Sequence, residues 1–452
     1  YVTGLYNQSE NLSADAIRRG VDTVSEQMKK DILNTPNTKD LYGDRMTGTT
    51  YYVSEKNGND DNDGLSPETA VKTYAGLTKK MRFAKKGTSI LFERGGIYRG
   101  QVAIPGHGIT FGSYGEGPKP LLMQSRRNYA DPSLWVETQW ENVWKCTQSL
   151  YNVGIIGFDH DLFDYSDASY DELYGDIMNY NLCGFKGVEQ LEKDLQFYSV
   201  LENDPSTVTK TGELYLYSDK GNPGERFKSI EIGERYNIIS GSESDIVIDN
   251  LAFKFTGAHG MGSGTCSNRV VTNCVFSWLG GSVLSFSFGN TGIPVNYGNA
   301  VEIYGGCNGY RVENCWMYQI YDTAVTTSSR TERLANRRAS VITVFLWNTA
   351  SGVLNSTTPW ATARLLPSRS IRGTYTWRTT FAVTADTVGE AKRASERDVC
   401  IPVHIRPTTA TSLRNTIFST AATDICSPCR QTPKRFRIKI FISRPSGKIW
   451  EA

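Results

Sequence analysis

Among the carboxylates of this 452-residue chain, Glu302 in NAVEIYGG and Asp322, at the corner after the aromatic run MYQIY, form the leading pair for acid–base chemistry. Two carboxyl groups about 5 to 9.5 Å apart can divide the cleavage of a glycosidic bond between them. One protonates the leaving oxygen while the other attacks the sugar or activates water. His259 sits between Ala258 and Gly260 in AHGMGSG, where small neighbours would let a sugar reach the imidazole, to hold a hydroxyl or orient a carboxylate. Trp278, Trp316, Tyr318 and Tyr321 offer ring faces for sugars, although alternation along strands must send some of them into a core. Asp159, His160 and Asp161 (FDHD) make a local acidic cluster that could line a cleft or bind a cation. Each has a structural alternative: a solvated corner or salt bridge for the carboxylates, a backbone hydrogen bond for His259, plain solvation for the FDHD acids.

The elements that must position these residues repeat. DIVIDNLAFKFTGAHGM, NRVVTNCVFSWLGGSVL and GYRVENCWMYQIYDTAV align so that Asn250, Asn273 and Asn314 share a column, Leu251, Cys274 and Cys315 the next, and Phe253, Phe276 and Met317 a third. One coil of such a chain cannot bury its inward face alone and stacks on its neighbours about 4.8 Å away, like on like. An Asn repeated at a corner can bond through its amide to the coils above and below. The expected architecture is therefore all-β, a parallel solenoid. The Asn spacing is 23 residues, then 41, which makes SFSFGNTGIPVN (285–296) a long excursion of the kind that walls a binding cleft.

Upstream, the stretches TSILFERGGIY, QVAIPG, ITFGSYG and KPLLM are short strands cut by Gly and Pro. A helix is expected to start at Ser66-Pro67. Residues 1–48 read as a leader or cap with an amphipathic helix between Ala14 and Ile32. Residues from about 128 to 235 read as a side insertion, with strands at VGIIGFDHD, LYLYS and SIEIG and a helical run at GVEQLEKDLQFY.

The chain is 39% hydrophobic and 21% charged with a net charge of +2, which points to neither a nucleic-acid nor an anionic-membrane partner. No apolar run approaches the roughly 20 residues needed to span a bilayer. Nine Cys without metal-ligand spacing give neither a disulfide framework nor a zinc site, and the lone CxxC at Cys426 and Cys429 lacks a second pair.

The average charge hides a break. Residues 1–326 carry 29 Lys+Arg against 40 Asp+Glu, whereas residues 327–452 carry 20 against 7, with 16 Arg, one Tyr and 4 Gly. The change falls in mid-motif, straight after YDTAVT. Joining the third base of each codon to the first two of the next tests a one-nucleotide deletion. In that frame Trp347-Asn348 forces a Glu, and FLWNTASGVLNSTTPW permits an alternating aromatic run. FAVTADTVGEAK regains glycines and aromatics, and the start of the tail permits Thr-His-Gln. Residues after about Thr326 are therefore expected to be a frameshift product without an evolved fold, and the basic tail is not read as a nucleic-acid patch. A genuine basic Ser/Thr/Arg-rich domain is the alternative.

YYVSEKNGNDDNDGLSPETA, FGSYGEGPKPLL, the AHGMGSG and WLGGS turns and YGNAVEIYGGCNGYRVENCWMYQIYDTAV resemble right-handed parallel β-helix proteins of the pectate-lyase-like superfamily. Within it they are most similar to bacterial glycoside hydrolases related to the α-L-fucosidase and xylanase β-helix family. The resemblance spans about residues 49–326, and in such proteins YDTAVT continues with His-Gln. It implies a secreted or cell-surface enzyme, a monomer without a cofactor, acting on a polysaccharide or oligosaccharide laid across parallel strands between long loops. A polysaccharide lyase is the rival, and would call for a base and often Ca²⁺. No clustered Asp ligands with a neighbouring Arg occur on the three aligned coils. A non-catalytic glycan-binding or adhesin β-helix is the other rival. Loss of coils beyond Thr326 would leave either enzyme incomplete.

Overall fold

The computed structural model describes residues 27–81, 84–163, 165, 178–180, 187–201, 211–287, 295–304 and 307–328, with the backbone of short strands between 338 and 451. The fold is mostly β, with few short helices and a large curled parallel sheet. The first strands are β1 (Thr50–Val53), β2 (Ser89–Glu93), β3 (Ile97–Arg99), β4 (Val102–Ala103), β5 (Thr110–Tyr114) and β6 (Leu121–Met123). An insertion follows with β7 (Trp135–Glu137), β8 (Val143–Cys146), β9 (Ile155–Phe158), β10 (Met178–Tyr180), β11 (Phe197–Val200), β12 (Glu213–Tyr217) and β13 (Ile230–Gly233). The trunk resumes as β14 (Ile239–Ser240), β15 (Ile246–Asp249), β16 (Ala252–Lys254), β17 (Met261–Ser263), β18 (Cys266–Thr272) and β19 (Val275–Leu279). After the hairpin of β20 (Ser282–Ser285) and β21 (Val295–Tyr297) come β22 (Val301–Tyr304), β23 (Cys307–Ile320) and β24 (Val325–Ser328).

Trunk strands pair in parallel along three ladders. The first runs β1-β2-β5-β15-β18-β23, the second β3-β6-β16-β19-β23, and the third β4-β14-β17-β22-β24. The chain visits the three in turn and returns one coil further on. The expected columns lie in register: Phe253 pairs with Phe276, which pairs with Met317. Their side chains enter one apolar core with Ile248, Val271 and Val312 from the first ladder and Met261, Val301 and Val325 from the third. The Phe253 and Phe276 rings stack with centroids 4.4 Å apart, as identical side chains in register favour.

Corners use left-handed backbone, again in columns. Asn250, Asn273 and Asn314 have φ of 60°, 55° and 49°, and Asp245, Asn268 and Gly309 have 62°, 52° and 81°. Asn, Asp and Gly tolerate this region with the least strain. The third corner, Phe255, Trp278 and Gln319 at 52°, 55° and 52°, uses residues that do not, so burial must hold them there. The amide ladder is real but short. Asn314 Nδ2 donates to Asn273 Oδ1 at 2.5 Å, and Asn273 Nδ2 donates to Asp249 Oδ1 at 2.7 Å. Asn250 turns away, donating to Pro36 O and Ser113 Oγ, both at 2.8 Å, and accepting from the buried Lys119.

The outward side chains of the second ladder are covered. Trp278, Trp316 and Tyr318 form a buried cluster with Leu121, Met123, Ile155 and Ile32. Ile32 lies in a helix over residues 27–33, the described part of the leader, which therefore runs along the flank of the coils. The insertion folds as two antiparallel sheets, β11-β12-β8-β7 and β10-β9-β13, with its own apolar cluster.

Two local expectations are corrected. The helix expected at Ser66 starts at Tyr74, where Thr73 caps it by accepting from Gly76 N; Ser66 and Thr69 instead bond to each other in a turn. The run expected to be helical at 187–198 gives one 3-10 turn (Val188–Gln190) and then β11, because Phe197 and Ser199 complete an antiparallel pairing with β12. No helix among the described residues is long and apolar enough to cross a membrane. The backbone of 338–347 adds a parallel strand beside β23. The frameshift expectation concerns side chains beyond Thr326, which lie outside the described residues.

Candidate functional site

The third ladder sets Ser240, Gly262, Glu302 and Thr326 in one register column. Their neighbours one residue upstream, Ile239, Met261, Val301 and Val325, are in the core, so alternation places the Glu302 column on the outer face. Backbone hydrogen bonds from Ile238 to His259, Gly260 to Asn299 and Ala300 to Thr323 extend the ladder upstream. Asn237, His259, Asn299 and Thr323 thus form the adjoining column.

Asn299 joins these groups. Its backbone N–H donates to His259 Nδ1 at 2.9 Å, its Nδ2 donates to Glu302 Oε2 at 2.6 Å, and its Oδ1 accepts from Thr323 N–H at 2.9 Å. Thr323 follows Asp322, whose own N–H donates to Gly298 O at 3.1 Å. The excursion reaches this position by a close backbone approach, since a Cβ on Gly298 would lie 2.1 Å from Gly280 Cα. Glycines in the WLGGS turn and in YGNAV are therefore what bring Asn299 to the coil.

Electrostatics separate the two acids from the imidazole. Burial, opposed by the Asn299 hydrogen bond and reinforced by the charge of Asp322, pushes the Glu302 carboxyl up to about 7. Glu302 is 8% exposed. Asp322 reaches solvent, yet crowding by protein raises it too, against a hydrogen bond from Thr323. His259 is pushed down to about 3, by burial first and by Arg235 second. Arg235 donates to Tyr297 Oη at 3.0 Å, and the Tyr297 ring meets His259 edge-on at 4.9 Å. A backbone N–H can only donate, so His259 Nδ1 must accept and the proton of the neutral ring sits on Nε2. His259 is therefore a hydrogen-bond donor through Nε2, not a base. A neutral donor beside two carboxyls that both hold their protons more tightly than usual can bind a hydroxyl and transfer a proton.

The structure thus brings Glu302, Asp322 and His259 together, and leaves the other sequence candidates elsewhere. Trp278 and Tyr318, at 0% and 6% exposed, sit under the leader and insertion with Trp316, so they have no open face for a sugar. Tyr321 is partly buried against the same cluster. Asp159 accepts from Lys228 N and Ser229 N at 2.7 and 2.9 Å, and Asp161 from Phe163 N at 3.0 Å; both shape turns of the insertion. His160 faces the buried Lys254 at 3.1 Å. A recess of about 400 Å³ on the insertion, lined by Trp140, Trp144 and Glu137, includes none of these residues.

Sequence reasoning missed Asn299 and Asn237, whose Oδ1 accepts from His259 N–H at 3.2 Å and whose Nδ2 lies over Gly262. A signal was there. Asn237-Ile238-Ile239 and Asn299-Ala300-Val301 share a polar–apolar–apolar pattern that extending the repeat alignment to the third ladder would have matched.

No family model matches the chain, and no curated protein matches it. Among solved structures, the native GH136 lacto-N-biosidase from Eubacterium ramulus is 14% identical over 74% of this chain and 44% of its own, with a TM-score of 0.33. Its selenomethionine derivative gives 14%, 74%, 45% and 0.34. A structure described as a glycoside hydrolase is 11% identical over 66% of this chain and 85% of its own, with a TM-score of 0.29. The chain spans less than half the length of the lacto-N-biosidase. Likeness of this degree carries no argument about reaction or substrate.

Proposed function

We propose that the chain is a carbohydrate-active enzyme, a glycoside hydrolase built on a right-handed parallel β-helix, with its substrate laid across the outer face of the third ladder. The observation that carries this reading is a shielded carboxyl, Glu302, raised to about 7 beside a second carboxyl, Asp322, on the next coil. Glu302 serves as the general acid that protonates the leaving oxygen. Asp322 serves as nucleophile or as the base that activates water. His259, through Nε2–H, holds a sugar oxygen. Secretion, a monomeric state and a polysaccharide or oligosaccharide substrate belong to the same proposal.

The reading frame belongs to it as well. The chain beyond about Thr326 is proposed to be a shifted translation of further coils, and sequencing the encoding DNA decides this, since an intact frame without a deletion removes it. The reaction is tested by a reducing-sugar screen over a glycan panel, with absorbance monitored for unsaturated uronates and Glu302→Gln as control, on this chain and on its in-frame version. New reducing ends that vanish in the variant support hydrolysis. Unsaturated products overturn it in favour of a lyase, and glycan binding by the in-frame version without cleavage overturns it in favour of a binding protein.

A further inference from the structure

The proton positions of the site can be deduced from one residue. Asn299 Oδ1 accepts from the backbone N–H of Thr323 at 2.9 Å, and that partner has no acceptor to offer. The amide therefore has one permissible orientation, with Nδ2 as the donor toward Glu302 Oε2 at 2.6 Å. An oxygen that receives an N–H is the poorer place for an acidic proton. We infer that Asn299 is the positioning residue of this site, which holds the proton of Glu302 on Oε1 through its side chain and the proton of His259 on Nε2 through its backbone. Asn299 is 5% exposed, so water does not compete for these bonds.

The groups facing Glu302 bear this out. Asp322 faces it from the following coil and favours its protonated form. On the preceding coil His259, tied to the same Asn299, is kept neutral with Arg235 and Tyr297 beside it. Neither supplies a donor to Oε2, so the Asn299 amide is what stabilises the carboxylate that remains after the proton has left. The catalytic meaning, an acid that delivers from a single oxygen and is recharged at neutral pH, rests on the hydrolase reading. The proton placement does not.

Site-specific ¹³C and ¹⁵N NMR titration of the full chain tests it without substrate, with Glu302→Gln assigning the carboxyl. In Asn299→Ala the Glu302 midpoint rises by about one pH unit or more, the loss expected for a hydrogen bond to a charged group. The His259 tautomer stays Nε2–H, because its partner is backbone. In the unsubstituted protein the Asn299 side-chain amide resonance titrates with the Glu302 midpoint, a measurement that does not depend on the variant folding. An unchanged or lowered Glu302 midpoint in a folded variant, or an Asn299 amide indifferent to Glu302, overturns the inference. If the titrations are linked but no glycan is cleaved, the hydrolase reading alone falls.

Discussion

At the scale of single residues, the site stores instability. The folded chain holds the Glu302 proton up to about pH 7, whereas an unfolded Glu releases it near 4.5. The folded state therefore binds more protons between these values, and stability falls as pH rises through that window. By linkage the full cost is about 3 kcal/mol above pH 7. Glu302→Gln should thus cut cleavage by about 10²- to 10⁴-fold while raising stability at pH 8 by up to that amount. Urea denaturation should show the gain at pH 8 and its disappearance at pH 4.5; a variant no more stable at pH 8 contradicts the burial argument. His259 has the opposite sign. Its folded value of about 3 lies below the unfolded one near 6.5, so the folded state binds fewer protons and stability is lost as pH falls from 6.5 toward 3. The two slopes oppose each other between about 4.5 and 6.5, so His259→Asn should leave the Glu302 slope unopposed and make stability rise as pH falls across that range. Measured denaturation midpoints at pH 5 and 6.5 check this, and a variant whose midpoint, relative to the parent's, does not rise toward pH 5 contradicts it.

At the scale of elements, corners decide register. Asn273 supplies both a left-handed φ of 55° and an amide that links Asn314 to Asp249. Asn273→Ala loses both, whereas Asn273→Gly loses only the amide. Thermal unfolding should therefore rank Gly above Ala by about 1 kcal/mol, with both below the parent; an Ala variant as stable as the Gly variant contradicts the strain argument. The Asn column could be read from the sequence because a side chain that suits a left-handed corner recurs on three successive coils. So could the inward Phe253, Phe276 and Met317, since alternation has the short period of a strand. Glu302, Asp322 and His259 are picked out by residue type and turn context, and it is the pairing of the third ladder that places them side by side. Asn299 was hidden by the excursion before it, which breaks the spacing. Trp278 and Tyr318, weighed as sugar platforms or as core, lie buried; alternation tells which side of a strand a ring occupies, but not that the leader and insertion cover that side. The helix placed at Ser66 shows a weaker rule overridden, as Thr73 had the better cap.

At the scale of the whole molecule, what stacks on the last described coil governs stability. Each coil buries its inward residues against the next, and the last coil whose side chains are described presents Met317, Ile320, Ala324 and Val325 to whatever follows. A following coil must bring alternating apolar residues and corner glycines. Residues 327–452 carry 4 Gly, one Tyr and 16 Arg, and adding guanidinium groups beside an apolar coil end costs desolvation that burial cannot offset. The proposed shifted frame permits aromatic alternation and glycines in the same stretch. Restoring it by one inserted nucleotide after codon 326 should raise Tm by several degrees and reduce the binding of an apolar-surface dye such as ANS. It should also bring cleavage, if the coils beyond Thr326 complete the cleft around Glu302 and Asp322. A restored chain that melts no higher and binds as much dye would show that the basic tail, as written, is the native continuation of the ladders.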